Sequence, residues 1–120
     1  MTELEQYIEQ SILPQYDAFD GGHKRDHAEA VIRESLVLAR EHGADEQMAY
    51  VIAAYHDLGL RYDRETHHIR SGEILMADSK LRKWFTEEQL LLREPFAQGG
   101  IRHQYFAGTD MMGLTVVAQA

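Results

Sequence analysis

Apolar residues recur at helical spacing through most of the chain, and the strongest run is Val51-Ile-Ala-Ala-Tyr-His-Asp-Leu-Gly59. Met48, Val51, Ile52, Tyr55 and His56 fall at i, i+3, i+4, i+7 and i+8, one face of an α-helix. The pattern therefore predicts a buried helix, capped by Asp45, with His56 on its core-facing stripe and Asp57 beside it. An upstream helix starts at Thr2, whose hydroxyl and Glu5 form a capping box. It buries Leu4, Tyr7, Ile8 and Ile12 and ends at Pro14.

A loop follows from Gln15 to Gly22, carrying Tyr16 and Phe19 and closing on the paired glycines Gly21 and Gly22. The second helix runs to about Glu41 with Gly43 as its C-terminal cap. His27 opens its stripe, one turn before Val31, and the stripe continues through Ser35, Leu38 and Ala39. After a charged connection from Leu58 to Glu65, a fourth helix runs from Thr66 to about Ala77. On it His68 stands one turn before Gly72, with Leu75 and Met76 beyond, while His67 falls off that stripe. A short segment with Trp84 and Phe85 as core aromatics precedes a helix that starts at Thr86 and is kinked or ended by Pro95. Beyond Pro95 the periodicity fails: glycines interrupt the sequence, and Thr115-Val-Val117 prefers a strand. The expectation is an all-α domain of about five to six helices, with an irregular C-terminal tail.

Three separate helices thus each direct a histidine, at 27, 56 or 68, along a buried face. One such histidine is ordinarily a hydrogen-bonded core residue. Three beside Asp57 form a set with metal-ligand chemistry, because burying imidazole and carboxylate together is costly unless something pairs with them. His23 and His42 lie off the stripes and are expected to be exposed.

Composition narrows the chemistry. The 120 residues fit one domain, and 44% hydrophobic content suffices for a core. No apolar run reaches membrane-spanning length and the N-terminus does not read as a signal, so the expected location is the cytoplasm. With no cysteine, any metal is held by nitrogen and oxygen, which suits Mn, Fe, Co, Ni, Zn or, less well, Mg. A net charge of −8 argues against general nucleic-acid binding but not against a small phosphorylated substrate, whose field is set locally. Arg61, Arg64, Lys24 and Arg25 are candidate anion-binding residues near the cluster. Oligomeric state is open, and a homodimer is compatible with the sequence.

His27 followed about thirty residues later by His56-Asp57, both on helices, resembles the HD-domain superfamily of metal-dependent phosphohydrolases. Gly22-His23 before His27, Gly59 after the pair, and His68-Ile-Arg-Ser-Gly72, similar to the His-x-x-x-Gly segment of the two-metal branch, extend the resemblance over about residues 15 to 80. It implies a single HD-type helical bundle with its core at about 15–92 and an atypical tail at about 95–120. It implies one or two divalent ions on His27, His56 and Asp57, with His68 serving a second ion and Asp57 also orienting the attacking water. The implied activity is hydrolysis of a phosphate ester or anhydride in a nucleotide or similar small molecule. The family closes its site with an aspartate on a late helix. Here the only aspartate after Asp78 is Asp110, in a Gly-Thr-Asp-Met-Met-Gly setting that does not read as mid-helix, and His103 is the corresponding candidate for a further histidine. That departure leaves open a different reading, a degenerate HD module with a partial metal site that serves binding or assembly. A third, oxidative chemistry at a di-iron centre, belongs to a minority of the superfamily.

Overall fold

A computed structural model describes residues 1–19, 24–43 and 45–93, and of Lys24, His42, His68 and residues 91–93 the backbone alone. The expectations for His23, Pro95, His103, Asp110 and the strand-like 115–117 lie outside these residues, as does that for the His42 side chain. Among the described residues every regular element is helical, in agreement with the all-α expectation.

Helix α1, Glu3–Tyr7, opens with the capping box: Glu5 N–H donates to Thr2 Oγ1 at 3.1 Å and Thr2 N–H to Glu5 Oε1 at 3.2 Å. The chain then continues as a π-helical turn, Ile8–Ile12, and a 3-10 helix, Leu13–Ala18. Pro14 was expected to end the helix and leave a loop. Instead it stands at the start of the 3-10 segment, where its fixed φ suits a first turn and its missing N–H costs nothing. The result is that Tyr16 is driven into the core.

Helix α2, Lys24–His42, stops where Gly43 takes φ +66° with open space around it. Helix α3, Glu46–Tyr55, begins under Asp45, whose Oδ1 accepts from Met48 N–H at 3.0 Å. The predicted stripe of α3 is buried, but so are Ala49, Ala53 and Ala54 on its other sides. Small residues there let α2 pack along it and α4 approach, so α3 is the central element of the bundle.

After Asp57 a 3-10 turn, Leu58–Arg61, leads to α4, His67–Ala77, which packs against that turn. A further 3-10 turn, Ser79–Lys83, and α5, Glu87–Arg93, complete the described chain, with Thr86 and Gln89 reciprocally capping α5. Phe85 is buried and Trp84 packs on the core, as expected.

Asp78 fastens three elements. Its Oδ2 accepts from the hydroxyls of Tyr7, at the end of α1, and Tyr55, at the end of α3, each at 2.5 Å. Burial, and then the Asp78 carboxylate, push the Tyr7 phenol up to about 12 and that of Tyr55 higher still, so both remain donors.

Candidate metal centre

The candidate donors gather at the last turn of α3, where the chain leaves helical geometry: His56 is still helical, while Asp57 has φ −111° and ψ 6°. His56 is 2% exposed, and its Nδ1–H donates to the Ala53 carbonyl at 2.7 Å. A carbonyl accepts only, so that nitrogen carries a proton and Nε2 is the one turned to the site. Nε2 lies 3.3 Å from Asp57 Oδ2. His27, in the first turn of α2, brings its Nε2 to 3.5 Å from the same oxygen and is 40% exposed. One ligand atom from each of His27, His56 and Asp57 lies within 4.8 Å of the other two, a group that could hold a metal ion.

His67 reaches the other carboxylate oxygen, with Nε2 at 3.5 Å from Asp57 Oδ1. Its Nδ1–H donates to the Arg64 carbonyl at 2.7 Å, the same i−3 arrangement that orients His56. Three imidazoles from three helices therefore converge on one mostly buried carboxylate. The fixing of Nδ1 by a backbone carbonyl is the usual way a metal-binding imidazole is oriented.

The structure brings His67 to Asp57, a residue that the stripe 68, 72, 75, 76 had passed over. Ser71, Gly72 and Leu75 are buried on α4, and His67 stands four residues before the first and eight before the last. Periodicity could not separate the neighbours, because Leu75 is i+8 from one histidine and i+7 from the other, and the small Ser71 and Gly72 give no hydrophobic contrast. The His68 side chain lies outside the described atoms.

Gly59 makes this convergence sterically possible. A Cβ there would overlap the carbonyl oxygen of His67, and would stand 2.7 Å from the Ser71 nitrogen and 2.8 Å from Arg70 Cβ. Gly59 N–H also donates to Ser71 Oγ at 2.8 Å, which ties the turn after Asp57 to the first turns of α4.

Of the candidate anion-binding residues, Arg61 gives its guanidinium to Gln15, Arg64 is exposed and contributes its carbonyl to His67, and Arg25 pairs with Asp17 and Glu29. The Lys24 side chain, Asp110 and His103 lie outside the described atoms.

No family model, curated protein or solved structure matches the chain. The chemistry of the centre accordingly rests on its donors. Among the described residues no helix is long and apolar enough to cross a membrane.

Burial pushes the Asp57 carboxyl up, but the rings of His56 and His67, through hydrogen bonds and charge, outweigh it and hold it well below the carboxylate range. The hydrogen bond to Asp57 raises His67 against the lowering effect of burial. The signs give a pH prediction for metal-free protein. His67, raised in the folded state, contributes stability that is present below its ordinary value of 6.5 and is lost as pH rises through the folded value. Asp57, lowered, contributes stability that is present above 3.8 and is lost as pH falls toward its folded value. The urea midpoint of metal-stripped protein should therefore fall between pH 6 and 8.5. With saturating Mn2+ the trend should reverse, because the ion needs neutral rings and displaces their protons. A midpoint that rises with pH in both preparations would contradict the His67–Asp57 pairing.

Proposed function

We propose that the chain is a metal-dependent hydrolase of phosphate esters or anhydrides in a small molecule such as a nucleotide, as its resemblance to the HD superfamily implies. The observation that carries this reading is the convergence of His27, His56 and His67 on the two oxygens of Asp57. The donor set fits a divalent ion of the Mn, Fe, Co, Ni or Zn type, all nitrogen and carboxylate oxygen, with His56 pre-oriented by the Ala53 carbonyl and the adjoining His67 by that of Arg64.

His27 Nε2, His56 Nε2 and Asp57 Oδ2 would hold the ion. When bound, it would lower the pKa of a coordinated water to give a nucleophile at neutral pH and draw charge from a phosphoryl oxygen. Asp57, ionised throughout the working range, supplies negative charge and an oxygen that can orient water. His67, on Oδ1, has two roles set by its protonation. Charged, it can give its Nε2 proton to a departing oxygen; neutral, the same nitrogen is a donor for a second ion. His27 is the exposed edge of the cluster, so a substrate would enter from its side.

The test is release of phosphate or nitrophenolate from nucleoside mono- and triphosphates, p-nitrophenyl phosphate and its bis-ester, by protein loaded in turn with Mn2+, Co2+, Ni2+, Zn2+, Fe2+ and Mg2+. Turnover with at least one ion, abolished by chelation and restored by readdition, is expected. Inactivity across all ions and substrates would overturn the hydrolase reading and favour a binding or assembly module that retains the metal cluster.

A further inference from the structure

We propose that Tyr16 is the positioning residue of this centre: its hydroxyl fixes the break at the end of α3 and so the direction in which Asp57 presents its carboxylate. The inference rests on the metal reading above and assigns a task to the N-terminal segment.

A helix that stops in the core must find partners for its last carbonyls and for the amides that follow. At the end of α3 the Ala53 carbonyl takes the His56 ring. The Ala54 carbonyl takes the Tyr16 hydroxyl at 2.6 Å, and the same hydroxyl accepts from the Asp57 amide at 3.3 Å. One phenolic oxygen, donor on one side and acceptor on the other, thus bridges the last helical peptides and the first non-helical residue.

Tyr16 is 1% exposed, with its ring held edge-on to Phe19 at 5.4 Å between centroids. The oxygen therefore has little freedom to follow Asp57 if that residue shifts. Tyr16 lies 38 residues from Ala54 and 41 from Asp57 in sequence, and it reaches them through the 3-10 segment that Pro14 opens. It offers no donor to an ion. Its effect passes through the backbone of a residue that does, as an outer-sphere partner orients a ligand.

The test compares Co2+ binding by the full chain, its Tyr16→Phe variant and its Tyr7→Phe variant, by titration and by visible absorption of the Co2+ form. Tyr7 is the control because its hydroxyl is also bonded within the fold, but to Asp78 rather than to Asp57 or Ala54. Tyr16→Phe should weaken Co2+ binding about tenfold, the lower end of what outer-sphere partners contribute, and should shift the cobalt bands. Tyr7→Phe should do neither, and both variants should keep the parent's far-ultraviolet circular dichroism. If Tyr16→Phe loses helix, 3,5-difluorotyrosine at position 16, which keeps the hydroxyl but weakens it as an acceptor, decides: the bands should shift partway. Parent-like affinity and spectrum in the position-16 variant overturn the proposal, and so does an equal change in Tyr7→Phe. Absence of Co2+ uptake by the parent overturns the metal reading and this proposal with it, an outcome distinct from uptake that is indifferent to position 16.

Discussion

Gly59→Ala should destabilise the protein by about 3 kcal/mol, the upper part of the range for overpacking, and lower the midpoint of thermal unfolding by roughly 10–20 °C. Conformational freedom is not the reason, since positive φ among the described glycines belongs to Gly43 alone. The cause is space: the added methyl would meet the His67 carbonyl oxygen and the Ser71 nitrogen, atoms of the α4 backbone that cannot swing aside like the tip of a side chain. Relief requires α4 to move off the 3-10 turn, which breaks the bond from Gly59 N–H to Ser71 Oγ and withdraws His67 from Asp57. Two readouts should therefore change together in Gly59→Ala: the unfolding midpoint by circular dichroism and the affinity for Co2+. Gly43→Ala has open space but an unfavourable φ, so it should lose stability while leaving Co2+ affinity alone. A Gly59→Ala protein that melts with the parent would refute the close approach of α4.

The helices were legible where caps and apolar spacing agree. Thr2 with Glu5, Asp45 before Met48, and Gly43 after α2 each mark a boundary that local hydrogen bonding or φ enforces, so a one-dimensional pattern suffices. His56 was legible for the same reason, being on the stripe of a strongly apolar helix. What the pattern could not give was anything decided between segments distant in sequence. Tyr16 read as a loop aromatic because its partners lie on α3, and no spacing rule links a phenol to an amide 41 residues on. His67 and His68 differ by one position beside small residues, and that His67 reaches Asp57 depends on how α4 docks against Gly59, which no spacing rule gives. Gly59 itself was noticed through resemblance, while its physical task, admitting the α4 backbone, is visible only in three dimensions. The charged connection after Asp57 suggested an arginine-lined site. In the fold Arg61 is engaged by Gln15, so its role in anion binding would require that bond to be exchanged.

Asp57→Asn should abolish the metal function while leaving a folded protein whose stability depends on pH in a new way. An outer-sphere partner is worth about 10–100-fold in metal affinity, and in the proposed centre Asp57 is itself a donor, so Co2+ affinity should fall by at least about 100-fold. Any metal-dependent phosphate release should fall with it. Asparagine keeps the shape and the backbone amide that donates to Tyr16, so the break at the end of α3 is retained. The charge is what is lost, and its absence is felt most when the surrounding rings carry protons. At pH 6 His67 is held charged by Asp57, and removing the carboxylate leaves a partly buried cation without that counter-charge. At pH 8.5 the ring can shed its proton and the penalty shrinks. In metal-free protein the loss in urea midpoint caused by Asp57→Asn should thus be larger at pH 6 than at pH 8.5, and the variant's midpoint should no longer fall across that interval. Isothermal titration with Co2+ and urea unfolding at the two pH values check both halves. Retained tight Co2+ binding would remove Asp57 from the centre. A midpoint loss independent of pH would show that the histidines do not depend on its charge.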